Sequence, residues 1–307
     1  MDRESPSAGP SAYEIALAGR GAIACWRLCA GPERRGVGIL HGLGDHAGRY
    51  TELGAALAAR GFAVDAIDLP GHGRSYGPRG HVGSWLDYRA AVTAWMDRAH
   101  AAAPDRTWTL LGQSMGAFVA LDWALEHPGR VERLVLCAPP FQLGFRPSLL
   151  KVKAAQALVR FWPGFSQGNM ILPSMLSHDQ NVVRAHMEDP LVHYKITARL
   201  FLEFQFMRAS LMKRVGELKT PTLVLQGGED HVADPLGSQR WVRMVPDGMA
   251  ELRLYPGLYH EVLAEVGRAD IIASLIDWLE KPPAARGTLP GGQAAEGAST
   301  PPRASRS

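Results

Sequence analysis

The nine residues Leu110-Leu-Gly-Gln-Ser-Met-Gly-Ala-Phe118 place one hydroxyl between two glycines, where an apolar run ends and a helical pattern over 115–127 begins. Gly-x-Ser-x-Gly between a strand and a helix is the spacing of a nucleophile elbow, a sharp turn that exposes its serine at the carboxyl edge of a sheet. Side chains at Gly112 and Gly116 would collide with the neighbouring strand and helix. The stretch therefore predicts that Ser114 is a nucleophile.

Outward from this turn, short apolar runs alternate with helical patterns. The nearly continuous apolar runs at 37–40 and 132–137 are typical of central parallel strands buried on both faces. This alternation predicts an α/β fold with a mostly parallel central sheet flanked by helices. The predicted strands are 22–29, 37–40, 63–68, 108–112, 132–138, 222–226 and 251–255. The predicted helices are 50–60, 84–102, 115–127, 236–245 and 268–280, and Ser84 with Asp87 has the spacing of a capping box.

The alternation breaks between about 142 and 215, where the sequence shows helical apolar patches and no clear strand. Aromatic and methionine side chains crowd every face of one helix at 200–207, which indicates that one face lines an apolar cavity. A helical insertion after a central strand predicts a lid. We expect a flexible N-terminus over 1–11, an α/β domain over 12–281 that contains this cap, and a disordered tail rich in Pro, Gly, Ala and Ser over 282–307.

Composition excludes several classes of protein. The 307 residues are 46% hydrophobic and 21% charged, an ordinary globular balance. The 33 basic and 30 acidic residues are interspersed, so we expect no nucleic-acid partner. Three cysteines (Cys25, Cys29 and Cys137) do not form a disulfide framework and fit a reducing compartment. With no signal core and no long apolar span, a cytoplasmic location is predicted, and no pattern indicates an oligomeric state.

A serine nucleophile needs an acid and a base, which follow it along the chain in this fold. The next predicted strand after the insertion ends in a turn with three candidate carboxylates, Glu229, Asp230 and Asp234. We favour Asp230, since Glu229 would point elsewhere and Asp234 already enters the next helix.

The predicted base is His260, which lies just beyond the last predicted strand and 30 residues after the acid. Histidines 41, 46 and 72 come too early for the chain order, and His231 adjoins the acid and cannot readily reach both partners. In this arrangement the imidazole takes the proton from the serine, the carboxylate orients the imidazole, and an acyl-enzyme forms and is released by water.

The tetrahedral oxyanion requires two donors. One is the backbone N–H of Met115, directly after the nucleophile. The other is predicted in the loop His41-Gly-Leu-Gly44 after the first buried strand, where Leu43 is the candidate.

The sequence indicates neither a cofactor nor a metal. It contains no glycine-rich phosphate loop between a strand and a helix. The tight loop Asp68-Leu-Pro-Gly-His-Gly-Arg-Ser75 is interpreted as structural, because no second ligand stands near His72 at a suitable spacing.

Five segments carry a family resemblance: His41-Gly-Leu-Gly-Asp-His-Ala-Gly-Arg-Tyr50, Asp68–Ser75, Gly112-Gln-Ser-Met-Gly116, Leu225-Gln-Gly-Gly-Glu-Asp230 and Tyr255-Pro-Gly-Leu-Tyr-His260. Taken together, they resemble the monoacylglycerol lipase group of α/β-hydrolases, including lysophospholipase-like members, over about residues 15–281. The resemblance implies the triad Ser114, Asp230 and His260 with oxyanion donors at Leu43 and Met115.

The resemblance also implies a substrate-binding residue. The family's arginine in the first segment, here Arg49, helps to recognise a glycerol head group; a structural ion pair is an equally weighted alternative. The sequence departs from its relatives at Val182 and His186, which align with a carboxylate and a tyrosine, and at Asp45, where glutamate is usual.

We therefore expect a serine carboxylester hydrolase that acts on lipid esters, either monoacylglycerol or lysophospholipid. The alternative is a general short-chain carboxylesterase or thioesterase, which acyl-chain preference would distinguish. The expected partner is a small lipid ester, with room for a transient contact with a membrane surface through the lid.

Overall fold

The computed structural model describes residues 11–29, 34–145 and 149–282. The predicted flexible N-terminus and disordered tail lie outside these ranges except for their innermost residues, Ser11 and Pro282. Ser11 differs from the prediction, because it opens a strand.

Eight strands form one sheet, which is mostly parallel as predicted. Its order is β1-β2-β4-β3-β5-β6-β9-β10; β1 pairs with β2 and β2 with β4 in antiparallel fashion, and the other neighbours are parallel. The strands are β1 Ser11–Leu17, β2 Gly21–Cys29, β3 Arg35–Leu40, β4 Ala63–Ile67, β5 Thr107–Gln113, β6 Arg133–Cys137, β9 Thr222–Gly227 and β10 Ala250–Tyr255. Strand β1 was not predicted, because an edge strand with half-exposed side chains has only a weak apolar pattern.

Helices cover both faces of the sheet. They are α1 Thr51–Ala59, α2 Trp85–Ala102, α3 Met115–Glu126, α7 Pro235–Met244 and α8 Arg268–Glu280. The predicted capping box at the start of α2 is confirmed, since Ser84 and Asp87 exchange side-chain and backbone hydrogen bonds. Within the described ranges, no helix is both long and apolar enough to cross a bilayer.

The core forms two layers because strand side chains alternate between the faces of the sheet. On β5, Leu110 packs with α2 and α3, whereas Leu111 packs with α1 and α8. Gly38 on the neighbouring strand β3 leaves room for Trp95, whose ring would lie 2.5 Å from a Cβ at that position. The central strands are thereby buried on both faces of the sheet.

The insertion between β6 and β9 is not helical throughout, which differs from the prediction. It contains α4 Leu149–Phe161, α5 Gln180–Glu188 and α6 Ala198–Lys213, and also the short strands β7 Ser166–Gly168 and β8 Lys195–Thr197. The two strands pair in antiparallel fashion. Three residues are too few to show a strand period, so the sequence did not reveal them.

Candidate active site

The turn after β5 holds Ser114 in a strained backbone conformation, with φ 52° and ψ −115°. A Cβ on Gly112 would lie 2.3 Å from the carbonyl oxygen of Gly116, and a Cβ on Gly116 would lie 2.2 Å from that of Leu40. Only glycine fits at both positions. The backbone N–H of Ser114 donates to the carbonyl of Cys137 at 2.8 Å, which ties the turn to β6. The geometry is that of a nucleophile elbow.

The predicted acid and base follow two adjacent parallel strands. Asp230 lies three residues beyond β9 and His260 five residues beyond β10, so both lie at the same sheet edge as Ser114. The Nδ1 atom of His260 is 2.8 Å from Oδ2 of Asp230, and both side chains are buried. Ser114 and His260 line one cavity.

The two competing carboxylates lie elsewhere. Glu229 is exposed to solvent. The side chain of Asp234 caps α7 by accepting a hydrogen bond from the N–H of Leu236. The roles of Asp230 and His260 remain predictions, and the geometry supports the choice between the carboxylates.

The charge around His260 suits a base. Burial alone would lower its pKa, but the negative charge and hydrogen bond of Asp230, together with the charge of Glu261, raise the pKa above its usual 6.5. Asp230 accepts four hydrogen bonds in total: two at 2.8 Å from the backbone N–H groups of Val232 and Ala233, and the others from His260 and Gln226. The carboxylate is thereby held in one orientation.

Two glutamines contact the predicted triad and were not singled out from the sequence. Gln113 precedes the nucleophile, and its Nε2 donates to the backbone carbonyl of His260 at 3.2 Å. Gln226 donates to Asp230 at 2.9 Å. Gln113 and its partner are 147 residues apart, so no local pattern could have indicated that contact.

The candidate oxyanion donors lie beside Ser114. Leu43 and Met115 line the same cavity as Ser114. Met115 is the first residue of α3, so its N–H has no acceptor within the helix. The loop that carries Leu43 is held from the insertion, because the N–H of His193 donates to the carbonyl of Gly44 at 2.9 Å.

The earlier histidines occupy other positions. His41 and His72 are fully buried beneath the site, and burial lowers the pKa of both, which keeps them neutral. The ring of His72 lies 4.9 Å from that of His193, whose pKa burial lowers to about 4. His46 instead binds Asp189 of the insertion at 2.8 Å. None of the three early histidines pairs with the predicted acid.

Arg49 forms ion pairs with two carboxylates. Its guanidinium lies 3.0 Å from Asp45 and 2.9 Å from Glu261, and it contacts both carboxylate oxygens of the latter. Burial alone would raise the pKa of Asp45, but the charge of Arg49 lowers it overall. This arrangement fits the alternative of a structural ion pair, which links the oxyanion loop to the loop of His260. The role of Arg49 in substrate binding stays a prediction.

Two cavities of different character meet at Ser114. The aromatic side chains of Phe201 and Phe204 line the apolar cavity, as the pattern at 200–207 predicts. The polar cavity shares Ser114 with it. Its ionisable and hydroxyl side chains are those of Asp45, Ser114, His186, His193, Tyr194, His260 and Glu261.

At two of the three positions where the sequence analysis noted a departure from relatives, His186 and Val182, the structure places the side chains in different cavities. His186 lies in the polar cavity, where its Nδ1 is 3.0 Å from the hydroxyl of Tyr194. Val182 lines a neighbouring cavity together with Arg49. A tyrosine hydroxyl is therefore present at the site, although it comes from residue 194.

Known proteins share both the sequence and the architecture. Residues 31–267 match the profile of the family described as serine aminopeptidase, S33. The chain is 31% identical to a monoacylglycerol lipase of Mycolicibacterium smegmatis over 80% of its length and 88% of the relative. It is 29% identical to the phospholipase YtpA of Bacillus subtilis over 76% of its length and 90% of the relative.

Among solved structures, the crystal structure of the Paleococcus ferrophilus monoacylglycerol lipase is similar to this chain with a TM-score of 0.76 and 28% identity. The similarity covers 88% of this chain and 98% of the lipase. These similarities confirm the predicted fold class of a mostly parallel central sheet flanked by helices.

Proposed function

This chain belongs to the serine aminopeptidase S33 family and is a serine α/β-hydrolase of the monoacylglycerol lipase type, and we propose that it hydrolyses the ester bond of monoacylglycerols. The proposed products are glycerol and a fatty acid. The proposed triad consists of Ser114 as nucleophile, His260 as base and Asp230 as the acid that orients it.

One observation carries the proposal: Ser114 lies where an apolar and a polar cavity join. Four residues line both cavities, namely Leu43, Ser114, Asn169 and Ile171. An ester with a long acyl chain in the apolar cavity and a polar alcohol in the other has its carbonyl carbon at Ser114. A short acyl chain would leave much of the apolar lining, including Phe201 and Phe204, without a contact.

The reaction proceeds through an acyl-enzyme. His260 takes the hydroxyl proton of Ser114 as the serine oxygen attacks the ester carbonyl. The N–H groups of Leu43 and Met115 stabilise the oxyanion. One such donor typically lowers the activation barrier by about 2.7–4 kcal/mol. The carbon–oxygen bond to the alcohol then breaks, and His260 gives its proton to the departing alcohol. Water, activated by the same imidazole, releases the fatty acid and restores the serine.

The polar cavity favours a neutral alcohol over a phosphate group. Its described lining contains the carboxylates of Asp45 and Glu261 but neither lysine nor arginine. Burial lowers the pKa of His186 and His193, so these rings are neutral near pH 7. Arg49 is already paired with both carboxylates, so a phosphate would meet no unpaired cation in the described lining, whereas glycerol hydroxyls can donate to carboxylates and imidazoles.

We also propose that the insertion acts as a lid that contacts a membrane surface. Phe161 at the end of α4 is 84% exposed, and the adjacent Trp162 is 62% exposed. Met170 and Leu172, which are more than half exposed, line a further cavity, and Asn169 and Ile171 line both this cavity and the apolar cavity. This apolar rim offers an acyl chain a path from a bilayer to Ser114. Sedimentation with phosphatidylcholine vesicles should fall when Phe161 and Trp162 are both changed to Ser.

The first experiment is titration of fatty acid release from monooleoylglycerol, monobutyrin, oleoyl lysophosphatidylcholine and p-nitrophenyl butyrate. Wild type, Ser114→Ala and the control Ser210→Ala are compared, since Ser210 lies on α6 away from both cavities. We expect the highest kcat/KM for monooleoylglycerol, activity in the control, and loss of activity in Ser114→Ala.

Each other outcome contradicts part of the proposal. Activity on butyrate esters alone would make the protein a general esterase. A preference for lysophosphatidylcholine would contradict the reading of the polar cavity. Activity that survives Ser114→Ala would remove the proposed nucleophile.

A further inference from the structure

Gln226 lies directly behind the predicted acid and is fully buried. It is near the end of β9, four residues before Asp230, and its Nε2 donates to Oδ2 of that carboxylate at 2.9 Å. His260 binds the same oxygen at 2.8 Å. One carboxylate oxygen therefore receives two side-chain donors, one from the base and one from Gln226.

The orientation of the Gln226 amide is determined by its partners. Besides Asp230, Nε2 donates to the carbonyl of Ala233 at 3.2 Å, so this end of the amide faces acceptors. At the other end, Oε1 accepts a hydrogen bond from the hydroxyl of Ser238 at 2.8 Å. A flipped amide would direct its oxygen at the carboxylate and its NH₂ group at the hydroxyl, losing the bond to Asp230. Ser238, which is also fully buried, therefore helps to hold the donor in place.

We propose that Gln226, oriented by Ser238, is a positioning residue that sets how strongly Asp230 attracts the proton of His260. This inference rests on the proposed triad. The N–H of Gln226 holds the carboxylate in the plane that meets Nδ1 of His260. It also draws electron density from the oxygen that His260 binds, because a hydrogen bond to a carboxylate stabilises its charge.

The sign of the effect follows from the charges around the imidazole. Asp230 and Glu261 face His260 from its own sheet edge and loop, and both favour the protonated ring. Across the cavity lie Asp45 of the oxyanion loop and, from the insertion, His186, His193 and Tyr194. Without the Gln226 donor, Oδ2 is more negative while the other groups are unchanged. The pKa of His260 then rises, and the neutral base is lost at a higher pH.

The test measures the rate at which a fluorophosphonate inactivates the enzyme between pH 5 and pH 9. This reagent reports Ser114 activated by its base and does not depend on the lipid substrate. Gln226→Met retains the chain length without the donor. We expect the acid limb of its rate–pH profile, where the rate falls as His260 is protonated, to move up by roughly half a pH unit. We expect its maximal inactivation rate to fall about tenfold.

Two further variants keep the result interpretable. Ser238→Ala removes only the orienting hydroxyl, so its acid limb should move in the same direction by a smaller amount, even if Gln226→Met fails to fold. Thr222→Val is the matched control: Thr222 is a buried polar residue at the other end of β9, and its hydroxyl donates to the carbonyl of Thr220. Its acid limb should match that of wild type, whatever its stability.

The outcomes separate this inference from the proposed function. If Gln226→Met is inactivated with an unchanged acid limb, the role of Gln226 is overturned and the triad is not affected. If Gln226→Met does not fold, the same result in Ser238→Ala leads to the same conclusion. A wild type that the reagent does not inactivate at Ser114 would overturn the proposed triad itself. A shift in the Thr222→Val control equal to that of Gln226→Met would assign the effect to general loosening of β9.

Discussion

The carboxyl edge of the sheet and the insertion over 142–215 meet at one cavity, but they are built differently. At the edge, Ser114 is held in a strained turn, and the carboxylate of Asp230 accepts four hydrogen bonds. The insertion instead exposes large apolar side chains such as those of Phe161 and Phe206. The contacts of Asp189 with His46 and of His193 with Gly44 hold it near the edge.

We expect the sheet edge to determine the chemistry and the insertion to determine which substrates bind. Groups that move a proton need distances fixed to within tenths of an ångström, and the ends of packed parallel strands provide that rigidity. A lipid tail needs only apolar surface of sufficient length, which half-exposed helices can supply. Changes at the edge should therefore reduce kcat or prevent folding, whereas changes in the insertion should alter KM according to chain length.

The largest effect is expected at the proposed acid, Asp230. Asp230→Asn retains the shape but removes the charge that holds the imidazole in its productive tautomer, so kcat should fall by about 10⁴-fold with little change in KM. Steady-state kinetics on p-nitrophenyl butyrate measure the loss. The control is Asp234→Asn, which alters a carboxylate that caps α7 and should retain most of the activity. A modest loss in Asp230→Asn would point to Glu229 or Asp234 as the acid.

The next effect is expected on folding at the elbow. In an open helix, Gly→Ala stabilises by roughly 1 kcal/mol, but a Cβ on Gly116 would lie 2.2 Å from the carbonyl oxygen of Leu40. We expect Gly116→Ala to lower the free energy of unfolding by about 3 kcal/mol. Gly216→Ala is the matched control, because no atom lies within 4 Å of its added Cβ. Urea denaturation measures the free energy of unfolding of both variants. Equal values for Gly116→Ala and Gly216→Ala would contradict the prediction.

In the insertion, we expect a smaller effect that depends on the substrate. Phe204 lines the apolar cavity and stacks on Phe118 with ring centroids 5.5 Å apart, whereas Phe206 on the same helix is 70% exposed. Phe204→Ala should raise KM for monooleoylglycerol roughly tenfold and leave p-nitrophenyl butyrate hydrolysis nearly unchanged. Phe206→Ala should alter neither in detergent solution. Equal losses on both substrates would mean that the insertion also positions the triad.

The smallest effect is expected in the pH dependence. The charge of Glu261 contributes to the raised pKa of His260, and the base must be neutral to accept a proton. Activity is therefore lost as the pH falls through that raised value. Glu261→Gln should move the acid limb of kcat/KM to lower pH by a few tenths of a unit, since one favourable charge is removed. This shift is opposite in sign to that expected for Gln226→Met. An acid limb that moved to higher pH would contradict the electrostatic argument.

The sequence alone was sufficient to predict the elbow, most strands and helices, and the candidates for the triad. These features are local: glycines flank one serine, apolar runs end in polar turns, and the fold brings the ends of parallel strands to one edge. Since β5, β6, β9 and β10 lie side by side, residues just beyond β5, β9 and β10 meet at that edge. The roles of those residues remain predictions for the experiments above.

Only the tertiary structure decided which side chains support the candidates. The contacts of Gln113 with His260 and of Arg49 with Glu261 join residues 147 and 212 positions apart. The strand pair within the insertion and the edge strand β1 were also absent from the prediction. Such features depend on how distant segments pack, and a single sequence carries no periodic signal for a contact between two loops or for a strand of three residues. The proposed chemistry could be anticipated from local patterns, whereas the long-range contacts of Gln113 and Arg49 could not.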